Sequence, residues 1–229
     1  MENRKADILN TLKQKASTKQ EVFAVTEKHF EVLKQGLAGL CGELRTEVDE
    51  FDKRISVGYK SRSKYEAQLK FGGDTLVFNM HTNIFLFDSS HHLQRTKYVQ
   101  EDPMRGYCGI INVYNFLSDS FRYQRLNDAG YLIARIFVNK DGHFFVEGKK
   151  RLGFLFSQFD RQEINSEKLI EIVEECMRFS LDFDLYTPDF ERVKLVSLHQ
   201  ILELSNNIKL RTEKRLGFEF NAQDKDVID

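Results

Sequence analysis

Seven apolar residues recur at intervals of seven near the start of the chain. They are Leu9, Ala16, Phe23, Phe30, Leu37, Leu44 and Phe51. A helix keeps one stripe against a partner over many turns only if its apolar positions repeat in this way. In a chain that is 41% hydrophobic, seven hits in one register arise by chance with a probability of roughly 0.002 before several registers are tried. The spacing therefore predicts one nearly continuous helix from about residue 4 to residue 53, a rod of roughly 75 Å at 1.5 Å per residue. Ser17 and Gln20 have the spacing of a capping box that would restart a helix. The beat passes through Ala16 and Phe23 without a change of phase, which favours continuity.

The companion positions are less regular. Leu12, Leu33 and Leu40 are apolar there, whereas Lys19, Thr26 and Glu47 are not. The seam is thus half of a two-stranded coiled coil, and a helix lying lengthwise on its own domain needs a similar stripe. Gly36, Gly39 and Gly42 fall inside it and mark either a bend or a small-residue ridge for another backbone. Glu43 follows the last glycine where a phosphate loop would carry lysine, so the glycines are read as a packing feature.

From Ile55 the apolar period changes from helical to two. Residues 55–59, 65–71, 75–80 and 84–87 read as a meander of antiparallel strands, with Gly72-Gly73-Asp74 and His81-Thr82-Asn83 as turns. Residues 93–106 read as a long irregular connection. Tyr107–Phe116, with Ile110 and Ile111 adjacent, reads as a strand buried on both faces. Residues 130–139 and 143–149 form a hairpin around Lys140-Asp141-Gly142, where Gly supplies the positive φ of a tight turn. Leu152–Phe156 reads as a further strand. Asn165 or Ser166 caps an amphipathic helix carrying Leu169, Ile170, Val173, Cys176 and Met177. Thr187-Pro188 and Ser197 with Gln200 read as later helix starts, residues 208–212 and 216–220 as a last strand pair, and 222–229 as an acidic tail.

The fold class expected is α+β. A long N-terminal helix (1–54) precedes a globular domain (55–221) with an antiparallel sheet of about seven strands, and the C-terminal helices pack on one face. No apolar run approaches a bilayer span and the first residues lack a secretory h-region, so a cytoplasmic location is expected. Cys41, Cys108 and Cys176 are odd in number and far apart, which fits neither a disulfide framework nor a metal knuckle. They are read as reduced and packing.

Three functional readings follow. The leading one is a non-enzymatic interaction or sensor module that assembles with itself or a partner helix through Phe23, Phe30, Leu37, Leu44 and Phe51. It is favoured because no G-x-S-x-G elbow, Walker loop, H-E-x-x-H helix or kinase signature occurs, and it implies no cofactor. The second is a metal-dependent nuclease: Glu147-Gly148-Lys149 places a carboxylate and an ammonium on one strand face, Asp128 would complete the site, and Mg or Mn would be the cofactor. A pattern of two charged residues has low specificity. The third is a nucleic-acid binder. The chain carries a net charge of −1, yet residues 55–159 carry +5 and residues 160–229 carry −6. Lys60, Arg62 and Lys64 lie in a cation-rich stretch read as a loop between tyrosines, and Arg122 and Arg125 alternate with aromatics. Asp88, His91 and His92 cluster metal-type ligands, but adjacent histidines point apart and no His-x3-His spacing is present.

Overall fold

The computed structural model describes residues 2–201, apart from 150, 185, 186, 188 and 200. Pro188 and Gln200, the strands expected at 208–212 and 216–220, and the tail lie outside the described residues; a short helix (Phe190–Val193) follows the first expected start, and at the second residues 198, 199 and 201 are helical and the Ile201 N–H donates to the Ser197 carbonyl at 3.1 Å.

The N-terminal rod is present and unbroken. Helix α1 (Glu2–Thr11) passes through a π-helical turn (Leu12–Ala16) into α2 (Ser17–Phe51). Ser17 has helical backbone angles, so the helix continues as expected and the restart that the Ser17 and Gln20 spacing would allow does not occur. Asp52, in an extended conformation, ends the rod.

Seven strands follow, every pair antiparallel: β1 (Val57–Ser63), β2 (Glu66–Phe71), β3 (Asp74–Met80), β4 (Phe85–Leu86), β5 (Tyr107–Leu117), β6 (Tyr131–Asn139) and β7 (Phe144–Gly148). The sheet order is β1-β2-β3-β5-β6-β7, and β4 pairs with the start of β5, where Phe85 faces Cys108. The chain is therefore α+β, as its change of period implies. The cation-rich stretch read as a loop is strand: β1 runs through Lys60 and Arg62 to Ser63 and is an edge of the sheet. Charged side chains on an edge discourage pairing with other chains, and they leave no hydrophobic alternation to read.

The two faces of the sheet are covered differently. On one face lie Leu69, Phe78, Ile111, Val113, Ile136 and Phe144, buried beneath α2 and α6 (Ser166–Leu181). Asn165 caps α6 by accepting from the Lys168 N–H at 2.8 Å. Gly36 is where the helices come closest, since a Cβ there would lie 2.6 Å from Ile170 Cδ1. Gly39 and Gly42 face open space, so the small-residue ridge is a single contact.

On the opposite face Cys108, Ile110, Phe137 and Phe145 form a second cluster with Leu93, Val99 and Phe159. The segment expected to be an irregular connection supplies its lid. It folds as a 3-10 turn (His92–Arg95), α3 (Lys97–Glu101) and a second 3-10 turn (Pro103–Gly106). Thr96 and Asp102 cap α3 and the second turn. Strand β5 lies mid-sheet with Ile110 and Ile111 in opposite clusters, as expected for adjacent isoleucines on a doubly covered strand. Helix α4 (Ser118–Arg122) follows β5. Where a strand was expected at Leu152–Phe156 the chain forms α5 (Arg151–Leu155); Gly153 packs against the Gly148 carbonyl too closely for a Cβ. Cys41, Cys108 and Cys176 are free and buried, and burial pushes the Cys108 and Cys176 thiols up from their ordinary range.

The α2 helix rests directly on β5 at Gly109, where a Cβ would lie 2.8 Å from both Thr26 Cβ and Cγ2. Thr26 cannot yield, because it is buried and its hydroxyl is bound to the Val22 carbonyl at 2.7 Å. Gly109→Ala is expected to lift α2 from the sheet and cost about 1–3 kcal/mol through overpacking. Chemical denaturation of the variant against the parent measures this cost, while Gly39→Ala, in open space on the same helix, is expected to leave stability unchanged or raise it.

Candidate functional site

The long helix divides into two parts. Its buried positions are Thr18, Val22, Thr26, Phe30, Leu33, Lys34, Leu37 and Cys41. Residues 4–17 are all exposed. About 14 residues of helix, or roughly 21 Å, therefore extend beyond the last buried position. This extension carries Ile8, Leu9 and Leu12 at 60%, 56% and 54% exposure. Their spacing puts them on one side of the helix. Around them lie Arg4, Lys5, Lys13 and Lys15 against the single acid Asp7, so the exposed stripe is apolar with a cationic border.

The π turn sits at the junction. A π-helical turn winds less per residue than an α-helical one, and five such residues set back the phase by roughly a quarter turn. The seven-residue beat is continuous in sequence, but its first members are rotated away from the side that the later members press on the sheet. Residues 4–17 are exposed on every side of the helix, Ile8, Leu9 and Leu12 included.

The five predicted partner-facing residues separate accordingly. Phe30 and Leu37 are fully buried in the main cluster. That is a correction to their reading as contacts for another chain: the sheet and α6 already occupy that surface. Phe23 and Leu44 lie half-buried at its margin, and the Phe23 ring meets Tyr65 edge-on at 6.1 Å. Phe51 is 71% exposed at the far end of the rod. Ile8 lies off the seven-residue beat, so the periodicity did not single it out; its signal is adjacency to Leu9 and i+4 spacing to Leu12.

The residues of the nuclease reading are not gathered. Asp128 is enclosed, taking an ion pair from Arg125 at 2.9 Å and a hydrogen bond from Ser120 at 2.7 Å. Glu147 pairs with Arg135 across to β6. Lys149 lines a small hollow with Glu175 and Arg178 instead. No group of three His, Cys, Asp or Glu side chains able to hold a metal ion occurs among the described residues. His91 stacks on Phe87 at 4.5 Å and, with Arg135 and Glu147, borders a cleft of about 670 Å³ floored by Phe137 and Phe145.

The five cations of the nucleic-acid reading divide as well. Lys64 is bound to Glu27 at 2.7 Å, and that hydrogen bond holds the Glu27 carboxyl below its ordinary range. Arg62 donates to Gln68 at 3.2 Å. Lys60, Arg122 and Arg125 are brought to one end of the sheet, together with Lys70 and Arg54.

No family model, curated protein or solved structure matches the chain. No helix among the described residues is long and apolar enough to cross a membrane.

Proposed function

We propose that the chain is an interaction module that self-assembles through its projecting N-terminal helix. One observation carries the reading: the helix continues for 14 exposed residues past Thr18 and presents Ile8, Leu9 and Leu12 to solvent. An unsupported helix of this length is marginal in water, and a covered apolar face is what stabilises such segments in proteins. A second copy offers the same stripe, and a symmetric pairing buries it on both chains.

The energetics set the strength of the contact. Burying the exposed part, somewhat over half, of three such side chains on each of two chains yields roughly 5–10 kcal/mol gross, and association costs about 4 kcal/mol or more. A self-pair resting on these residues alone is therefore no tighter than about tens of micromolar, and the assembly forms at high local concentration. Sedimentation velocity of the parent against Ile8→Glu/Leu12→Glu, over a concentration series reaching well above the micromolar range, is the test. Association of the parent, with a monomeric but equally stable variant, is the expected result. A parent that remains monomeric throughout removes the reading. Both substitutions fall on exposed positions, so the fold is left intact, whereas a charge at Phe30 would confound assembly with unfolding.

A further inference from the structure

We infer that the trough at the β1–β2–α4 end of the sheet is a binding site for the phosphate backbone of single-stranded nucleic acid. Two hollows, of about 450 and 330 Å³, run into one another there and share Lys70, Ser118 and Arg122. The first also receives Arg54 and Arg125, and the second Lys60 and Phe121. Five cations thus border the trough and Asp119 is its one lining acid.

Two of those cations are already engaged, Arg54 with Asp52 and Arg125 with Asp128. Lys60, Lys70 and Arg122 have no carboxylate within ion-pair distance among the described residues. The fold places them deliberately close. Lys60 and Lys70 alternate onto the same sheet face, because Lys60 pairs with Gln68 and Lys70 with Gly58. Arg122 arrives from α4, which is fixed to that face where Ser118 Oγ meets Thr75 Oγ1 at 2.9 Å. Edge protection accounts for Lys60 alone, since Lys70 is one strand in and Arg122 is on a helix.

The shape selects the ligand. The hollows are open and joined through shared lining residues, evenly polar and apolar in the first and mainly apolar in the second, and neither is an enclosed cavity for a nucleobase. Successive phosphates of a flexible strand can follow such a path, and the half-buried Phe121 ring beside Lys60 offers a surface for one base to stack. Three unpaired cations predict a salt slope of about −2, at roughly −0.7 per phosphate on a single strand.

The experiment is fluorescence anisotropy of a labelled oligodeoxythymidylate titrated with the full chain between about 50 and 200 mM salt. The parent is expected to bind with a slope near −2 on logarithmic axes. Lys60→Glu/Arg122→Glu, at two exposed positions, is expected to weaken binding about tenfold or more and to reduce the slope by at least about one. Lys13→Glu/Lys15→Glu changes the net charge equally on the projecting helix and is expected to bind as the parent does. The inference is overturned by absent or salt-insensitive binding, or by equal loss in both variants. Competition by duplex DNA or by inorganic tripolyphosphate as effective as that by the unlabelled strand also overturns it, because the trough would then take polyanions without regard to form. The readout is separate from assembly, so it stands or falls apart from the self-association reading.

Discussion

Phe30→Ala is expected to cost about 3–5 kcal/mol, the range for truncating a fully buried aromatic. Phe30 is inaccessible to solvent, sits among the β-sheet side chains under α2, and holds the Lys34 ammonium 5.3 Å above its ring. Lys34 in turn donates to the Lys64 carbonyl at 2.8 Å and to Glu31 at 2.9 Å, which fastens the helix to the β1–β2 turn. Loss of the ring therefore opens a cavity and loosens this anchor. Domains of this size are stable by about 5–15 kcal/mol, so the loss is a large fraction of the whole. Phe51→Ala, in the same helix and the same seven-residue register, is expected to change stability by no more than about 0.5 kcal/mol, because its ring is exposed. Urea denaturation of the two variants measures the contrast. Equal effects would show that the rod does not use its stripe unevenly.

Asn139→Ala is expected to cost roughly 2–4 kcal/mol, from a residue that contributes no apolar packing. Asn139 is fully buried at the end of β6. Its Oδ1 accepts from the Asp141 and His143 backbone N–H groups, each at 3.0 Å, and its Nδ2 donates to the Tyr98 hydroxyl at 3.0 Å. One side chain thereby shapes the β6–β7 turn and ties it to the helical lid over the second cluster. The Tyr98 hydroxyl donates to the Asp141 carboxylate at 2.9 Å, and Arg105 stacks over its ring at 4.4 Å and also reaches Asp141. Burial, with the Asp141 carboxylate beside it, pushes the Tyr98 phenol up to about 12. Alanine at 139 leaves the Asp141 and His143 N–H groups without their acceptor and takes one of its two partners from the Tyr98 hydroxyl, in a part-buried turn. Tyr98→Phe removes a single hydroxyl and is expected to cost less, about 1 kcal/mol. Thermal unfolding of the two variants gives the ranking, and the reverse order would mean that the turn is held by something other than Asn139.

Several elements were legible in the sequence for reasons that can be named. The β6–β7 hairpin is fixed by Gly142, at φ +78°, and the start of α6 by the Asn165 cap. The rod was legible as a helix, yet its buried side was not. The burial pattern 18, 22, 26, 30, 33, 37, 41 includes Thr18 and Thr26, which hydropathy excludes from a core. Both satisfy their hydroxyls within the helix, Thr18 on the Gln14 carbonyl and Thr26 on that of Val22, each at 2.7 Å, so they pack as small apolar residues do. Residues 151–155 are too few for a period to distinguish helix from strand. The 92–106 lid folds through local caps at Thr96 and Asp102 and has no run long enough to show periodicity. Of the trough's cations, Lys60, Arg122 and Arg125 were legible as local cation-rich stretches beside aromatics, whereas Arg54 and Lys70 were not, because the five are scattered along the chain and only the sheet and α4 assemble them.

Amide hydrogen exchange along residues 4–41, followed as protein concentration rises, tests most directly the division of one helix between its own core and a second copy. The expected result is slow exchange at 22–41 that does not depend on concentration, with fast exchange at 4–17 that slows as the chains associate. Protection of 4–17 equal to that of 22–41 at the lowest concentration, or fast exchange there at every concentration, would contradict it.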